Sequence, residues 1–98
     1  MKFNYYLSPA AEQDIEDVID YLAQENVESA HTFLNAVYGA MELIAENPDI
    51  GHLREDFTSK PVKFWSFKWH YLIIYTPTSP INIVRVLSGH RDIINLIG

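Results

Sequence analysis

Two β-rich segments joined by a proline-containing turn constrain the fold of this chain more than any other feature. Residues 71–76 and 81–87 are dominated by β-branched and aromatic side chains, which favour buried extended strands. Pro77 and Pro80 lie between them, and because proline has no backbone donor the chain has to turn there. The sequence therefore predicts a β-hairpin that ends on the polar run Gly89, His90, Arg91 and Asp92.

The first half of the chain predicts a short strand followed by two amphipathic helices. Residues 3–7 alternate between two faces, which is the period of a strand. Ser8 and Pro9 mark a helix start, because a hydroxyl caps free N–H groups and proline at the first helical position loses no hydrogen bond. Asn26 or Ser29 caps a second helix, which stops at an Asn-Pro pair. The short connection predicts an antiparallel helical hairpin.

The predicted fold class is α+β, with the element order β-α-α-β-β-β. Residues 62–67 supply a further strand before the hairpin. Local connections make the three C-terminal strands antiparallel, and we expect the first strand to join the same sheet. The helical hairpin then packs on one face of a small, mainly antiparallel sheet. Residues 1–98 are expected to form a single domain.

Both faces of the predicted hairpin are apolar. We expect the side facing the helices to carry Leu72, Ile74 and Val86. The opposite side would carry Tyr71, Ile73, Tyr75, Ile83 and Leu87. Since two helices cannot cover both faces, an apolar and aromatic sheet face is expected to remain open for a partner or for self-association.

Charge is distributed unevenly along the chain. The net charge is −6, but residues 1–50 carry one Lys and ten acids, whereas residues 51–98 carry six Lys or Arg and three acids. The first half therefore predicts solvated acidic helix surfaces, and the second half can present a local basic surface. The overall acidity argues against direct nucleic-acid binding. It leaves room for a small basic site that faces an acidic protein partner.

The remaining residue types exclude several classes of site. The chain has no Cys, which excludes disulfides, a thiolate zinc site and a Cys nucleophile. Its four His lie in different predicted elements, so we expect no metal site, and no Gly-rich phosphate loop indicates a cofactor. No apolar run approaches a membrane span, and no signal peptide is evident at the N-terminus. A cytoplasmic protein is expected.

Arg85 and His90 are the most informative polar residues of the last third. Arg85 lies within an apolar strand, where a charge is costly unless it is paired or reaches the surface. It either contacts an acidic group or a phosphate of a partner, or forms an internal ion pair with Asp92 or another acid. His90 follows Gly89 beside a cation, and it is either functional or an exposed residue that closes the strand.

Four stretches, taken together, resemble the ParE branch of the ParE/RelE superfamily, the toxins of type II toxin–antitoxin systems. They are LSPAAEQDI at 7–15, FLNAVYGAMELIAENPDIG at 33–51, WHYLIIY at 69–75 and IVRVLSGHRD at 83–92. The resemblance implies a small antiparallel sheet against a helical hairpin. It also implies a ParD-like antitoxin that wraps the toxin with a partly disordered segment, and DNA gyrase as the target.

On this resemblance we expect a non-enzymatic toxin that binds and inhibits its target. The expected target contacts are Arg85, His90, Arg91 and Asp92. The expected antitoxin contacts are Trp65, Trp69, Tyr71, Ile73 and Tyr75.

Two alternatives remain open at this point. One is a RelE-like ribosome-dependent mRNA endoribonuclease, whose acid–base and phosphate-stabilising groups would be Arg85, His90 and Arg91. Against it, residues 93–97 lack the tyrosine found in the tail of many members of that branch, and the strongly basic surface is absent. The other alternative is a degenerate member that keeps the fold and binds its antitoxin but has lost toxicity.

Overall fold

The computed structural model describes residues 5–91 and 93–97. Its elements are β1 (Tyr5–Leu7), α1 (Pro9–Glu25), α2 (Val27–Glu46), β2 (Lys63–Phe67), β3 (Tyr71–Thr76), β4 (Ile81–Ser88) and α3 (Ile93–Ile97). A single 3₁₀ turn, Lys68–His70, joins β2 to β3. The predicted α+β class and element order are confirmed, with α3 added at the end. Residues 3 and 4 of the predicted first strand lie outside the described residues. None of the helices in this part of the chain is long and apolar enough to cross a membrane.

The helical hairpin begins and turns at two side-chain caps. The Ser8 hydroxyl accepts a hydrogen bond from the backbone N–H of Ala11 at 3.0 Å, as its position before Pro9 predicts. Asn26 ends α1 and also caps α2, because its side-chain oxygen accepts from the N–H of Ser29 at 3.2 Å. With a single residue between them, the two helices have to fold back on each other.

The sheet has the strand order β1-β4-β3-β2. β1 runs parallel to β4, and β2–β3 and β3–β4 are antiparallel. A bulge interrupts the β3–β4 ladder: Ile74 lies opposite Arg85, but Tyr75 lies opposite Ile83. Val84 is therefore the extra residue of β4, and the alternation of side chains between faces shifts at that point.

The helical hairpin covers one face of this sheet, which we call the helix face. Phe33, Val37, Met41 and Ile44 of α2 are fully buried against it. The sheet side chains in the same cluster are Ile73, Tyr75, Ile81, Ile83 and Val86, with Tyr71 packed at its edge.

The predicted assignment of side chains to faces is wrong for most of the hairpin. Tyr71, Ile73, Tyr75 and Ile83 lie on the helix face, whereas Leu72 and Ile74 lie on the other. β3 carries apolar residues at both of its alternating sets of positions, so the sequence did not indicate which of its faces the helices cover. Val86 does face the helices and Leu87 faces away, because the bulge at Val84 shifts their parity relative to Ile83.

The second face is also closed, and we call it the tail face. Its buried residues are Val62, Phe64, Leu72, Ile74, Leu87 and Ile93. Phe57, from the loop between α2 and β2, lies with its ring centroid 5.6 Å from that of Phe64, and Leu96 and Ile97 of α3 pack on the same cluster. The predicted open apolar face is therefore wrong, because a loop and a short helix cover what the hairpin does not.

Candidate functional site

Arg85 forms an ion pair inside the chain. Its Nε donates to Asp14 Oδ2 at 2.7 Å and its Nη2 donates to Asp14 Oδ1 at 2.9 Å, while Nη1 donates to the carbonyl of Leu96 at 3.4 Å. The Arg85 and Asp14 side chains are 23% and 11% exposed. The hydrogen bond to Asp14 raises the pKa of Arg85 above its ordinary value. The interpretation of Arg85 as half of an internal ion pair is confirmed, and its role as a target contact stays a prediction.

The partner of Arg85 is Asp14 of α1, and Asp92 lies outside the described residues. Within the described residues, β1 pairs with three residues of β4, and beyond Ile83 that edge has no neighbouring strand. The N-cap of α1 and a side chain of the helix replace it: the Ser8 hydroxyl donates to the Val84 carbonyl at 2.8 Å, and Asp14 Oδ2 accepts from the Val86 N–H at 3.0 Å. One carboxylate thus caps the sheet edge and holds the guanidinium.

Sequence reasoning missed this role of Asp14. Asp14 is one of the ten acids of residues 1–50, which were predicted to form solvated helix surfaces. A signal was available, because Asp14 is three residues after Ala11 and four before Val18, inside the apolar stripe of the helix. A carboxylate at a core-facing helical position and a lone Arg within an apolar strand predict each other as partners.

A groove runs between α1 and the free edge of β4. Its volume is about 440 Å³. Asp14, Asp17, Val18 and Tyr21 of α1 form one wall, and the other residues that line it are Tyr71, Val86, Leu87, Ser88 and Arg91. We call it the α1–β4 groove. It combines an apolar floor with an acidic wall and a cationic residue, which is a composition suited to binding an amphipathic peptide segment.

A second surface forms where the β2–β3 turn meets the end of β4. The Gly89 N–H donates to the His70 carbonyl at 2.8 Å, and a Cβ at residue 89 would lie only 2.7 Å from that oxygen, so the contact requires glycine. The rings of His70 and His90 are 5.7 Å apart between centroids. The exposed side chains here are Lys68, Trp69, His70, His90 and Arg91, and we call this surface the Trp69 corner.

The predicted target contacts are therefore divided by the structure. His90 and Arg91 lie at the Trp69 corner, beside a turn from which the sequence analysis had assigned only Trp69, as an antitoxin contact. Arg85 is held by Asp14 instead. Within residues 5–91 and 93–97, no three His, Asp or Glu side chains cluster closely enough to hold a metal ion.

The predicted antitoxin contacts are divided as well. Ile73 and Tyr75 are 0% exposed beneath the helices, so they cannot form a docking surface, and their prediction as contacts is wrong. The Tyr75 hydroxyl donates to the Pro48 carbonyl at 2.7 Å and accepts from the Gly51 N–H at 2.9 Å, which anchors the loop after α2. Trp65 is half-buried, Tyr71 is half-buried and lines the α1–β4 groove, and Trp69 is exposed.

Comparison with known protein families agrees with this architecture. A family model described as the ParE toxin of the type II toxin–antitoxin system, parDE, matches residues 5–93. The chain belongs to the ParE toxin family. A search of curated proteins found no significant match.

Membership of the ParE family makes this chain a toxin component of a type II toxin–antitoxin system and implies an antitoxin partner. The matched region contains the helical hairpin, the whole sheet and both surfaces described above. Of α3 it includes only the first residue, Ile93.

Proposed function

We propose that this ParE-family protein acts by binding and inhibiting DNA gyrase in the cytoplasm, and that a ParD-like antitoxin neutralises it. The observation that carries the proposal is the family match over residues 5–93. A resemblance of four separate stretches of sequence points to the same branch of the superfamily. The toxic effect then comes from association with the target and not from bond making or breaking by this chain.

The proposed antitoxin site is the α1–β4 groove. Tyr21 on its wall is 62% exposed, and Tyr71 borders it from β3. An aromatic side chain with a polar tip gives much contact area at little entropic cost, which suits it to a protein interface. Asp17 lines the same groove and is exposed, and residues 1–50 carry ten acids against one Lys. A basic, amphipathic antitoxin segment fits this surface.

The state of Arg85 supports recognition over chemistry. An mRNA endoribonuclease needs cations free to stabilise the charge that develops on a phosphate. Three N–H groups of Arg85 are already bonded to Asp14 and Leu96 within the chain. Of the three residues predicted for a nuclease, only His90 and Arg91 are exposed, and Arg85 is bonded within the chain.

Two assays test the proposal together. Expression of the chain alone should arrest growth, and co-expression of its ParD-like antitoxin should restore growth. Purified protein at micromolar concentration should inhibit supercoiling by gyrase. Unimpaired supercoiling with folded protein would remove gyrase as the target, and normal growth without the antitoxin would indicate a non-toxic member. Codon-positioned cuts in cellular mRNA during arrest, mapped by primer extension, would favour the endoribonuclease.

The antitoxin surface is tested by a pair of exposed tyrosines. Tyr21→Ala removes an aromatic side chain from the α1–β4 groove and should weaken antitoxin binding by about 10-fold or more. Tyr6→Ala is the matched control, since Tyr6 is 55% exposed and does not line the groove. Equal affinities for the two variants, measured by calorimetry, would place the antitoxin elsewhere.

A further inference from the structure

Two consecutive residues of the β2–β3 turn adopt a left-handed backbone. Trp69 has φ of 60° and His70 has φ of 65°, and neither is glycine. L-residues with a side chain rarely adopt this conformation, which is unfavourable unless the surroundings determine it. The result at this turn is a tryptophan that is 46% exposed, although strands on both sides bury their aromatic residues more deeply.

Contacts from the end of β4 hold the turn in place. The Gly89 N–H donates to the His70 carbonyl at 2.8 Å, and the absence of a side chain at Gly89 lets the two backbones approach. The His90 ring lies edge-on to the His70 ring at 5.7 Å. The exposed side chains are thus presented from a backbone fixed at two points far apart in the sequence. Such preorganisation lowers the entropy lost when a partner binds.

The charge of this surface is opposite to that of the chain. The Lys68 ammonium lies 5.5 Å from the centre of the Trp69 ring, and the exposed Arg91 follows His90, whose ring lies beside that of His70. Residues 66–71 and 88–91 contain no carboxylate, and the next acid in the sequence is Asp92, whereas the whole chain has a net charge of −6. The exposed indole thus lies beside one permanent cation, on a surface that also carries two imidazoles and Arg91.

We propose that the Trp69 corner is the surface through which the toxin binds an acidic face of its protein target. This proposal rests on the proposed function, in which the chain acts by binding a target. Trp69 enters an apolar pocket of the partner, and Lys68 and Arg91 pair with carboxylates around that pocket. Tryptophan and arginine are the residues most enriched at the energetic centres of protein interfaces.

A protein fits this surface better than a nucleic acid does. Nucleic-acid affinity comes mainly from many phosphate contacts along an extended cationic tract. The corner supplies only two permanent cations, and a chain with a net charge of −6 repels a phosphate backbone at longer range. A compact basic and aromatic surface on an acidic chain is instead complementary to a localised acidic patch.

The test compares variants inside and outside the corner. Trp69→Gly removes the indole, and glycine adopts φ near 60° without strain, so this variant keeps the turn. Lys68→Glu reverses a charge of the corner at a residue that does not line the α1–β4 groove. Tyr6→Ala and Lys60→Glu are the matched controls, because both residues are exposed and lie outside the corner. Circular dichroism and a thermal melt establish that each variant is folded.

Three measurements are made on each variant: growth arrest in cells, inhibition of purified gyrase, and affinity for the antitoxin. Both corner variants should need at least about 10-fold more protein to inhibit gyrase, and they should lose growth arrest. Their affinity for the antitoxin should stay within about threefold of the wild type, because neither Trp69 nor Lys68 lines the α1–β4 groove. The two controls should behave as wild type in all three assays.

Several results would overturn the proposal. If the wild type is toxic and the corner variants are equally toxic, the corner is not the docking surface, but the proposed function is unaffected. A wild type without toxicity would remove both. Equal losses of antitoxin affinity and toxicity would show a shared surface or a damaged fold. Binding of the wild type to supercoiled DNA or heparin that the charge reversal abolishes, with gyrase inhibition unchanged, would identify the partner as a polyanion.

Discussion

Both faces of the sheet bury their side chains, but the two faces are covered by very different elements. The helix face lies under helices of 17 and 20 residues, whose stripe of buried side chains forms the larger cluster. The tail face lies under the five-residue α3 and the loop that carries Phe57. Ile73 on one face is 0% exposed and Ile74 on the other is 1% exposed. Burial of a strand residue therefore does not indicate how strongly its cover is held.

We expect α3 to open more easily than the helical hairpin, because its opening exposes less apolar surface. Separating the helical hairpin from the sheet exposes many large side chains at once and amounts to unfolding of the domain. Lifting α3 exposes Ile93 and parts of Leu96 and Ile97, together with the sheet residues beneath them. The Arg85–Leu96 hydrogen bond connects α3 to the Asp14 ion pair, so the edge of β4 is where the two faces are joined.

The largest expected effect is the difference in stability between a truncation on the helix face and one on the tail face. Phe33→Ala should lower the free energy of unfolding by about 3–5 kcal/mol, because the ring is fully buried on the helix face. Its centroid lies 4.9 Å from that of Tyr71 and 5.9 Å from that of Phe67, and both contacts are lost. Ile93→Ala on the tail face should cost about 1–2 kcal/mol, below the usual range for a buried Ile, since so short a helix can shift to fill the space. Urea unfolding measures both.

Hydrogen exchange measures how easily the cover of each face opens. Amides of α2 should exchange through global unfolding, and those of α3 through a local opening of much lower free energy. Ile93→Ala should accelerate exchange in α3 and leave α2 slow. If α2 and α3 exchanged with the same free energy, the two faces would open as one unit and the distinction between them would be wrong.

The next largest effect comes from removing the Asp14–Arg85 ion pair, which connects the two faces at the edge of β4. Asp14→Ala removes both hydrogen bonds to the Arg85 guanidinium and the acceptor for the Val86 N–H. The expected loss is about 2–3 kcal/mol, since a half-buried cation and a backbone donor are left without partners. Arg85→Met should cost less, because Asp14 still caps Val86.

A double-mutant cycle separates pairing from packing at this joint. The Asp14→Ala, Arg85→Met double variant should be more stable than the sum of the single losses predicts, because the unpaired cation is gone. Glu16→Ala is the surface control, since Glu16 is exposed on the same helix. Additive losses in the cycle would show that the pair contributes no coupling.

The smallest effect is a dependence on alkaline pH that belongs to the helix face. Burial raises the pKa of Tyr5, Tyr71 and Tyr75 above the ordinary value of about 10, and all three belong to the helix-face cluster. The unfolded chain therefore loses these phenolic protons at lower pH than the folded chain. Their contribution to stability is complete below about pH 10 and decreases as pH rises towards the higher folded pKa values.

Tyr75→Phe tests the alkaline effect. The wild type should lose stability as the pH rises above about 10, measured as a shift of the urea midpoint, and the variant should lose less. Tyr6→Phe is the control, because Tyr6 is exposed and outside the cluster. An equal shift in Tyr75→Phe and in the wild type would mean that this phenol does not contribute.

Local chemistry made the elements of this fold predictable. The Ser8-Pro9 start, the Asn26 cap and the β-branched runs act within a few residues, so each could be read before any tertiary contact was known. The candidate site was predicted only in part. His90 and Arg91 were identified and lie at an exposed surface, but their neighbours Lys68 and His70 come from another turn, which no local pattern places beside them.

By itself, the sequence determined the element order, the membership of the ParE family and the acidic first half of the chain. Only the tertiary structure decided which face of the sheet the helices cover, which acid pairs with Arg85 and which residues surround Trp69. The physical reason is that β3 is apolar at both parities and the bulge at Val84 shifts the register of β4. Those choices depend on contacts between residues far apart in the sequence, such as Asp14 and Arg85 at 71 positions, and only the packed chain brings them together.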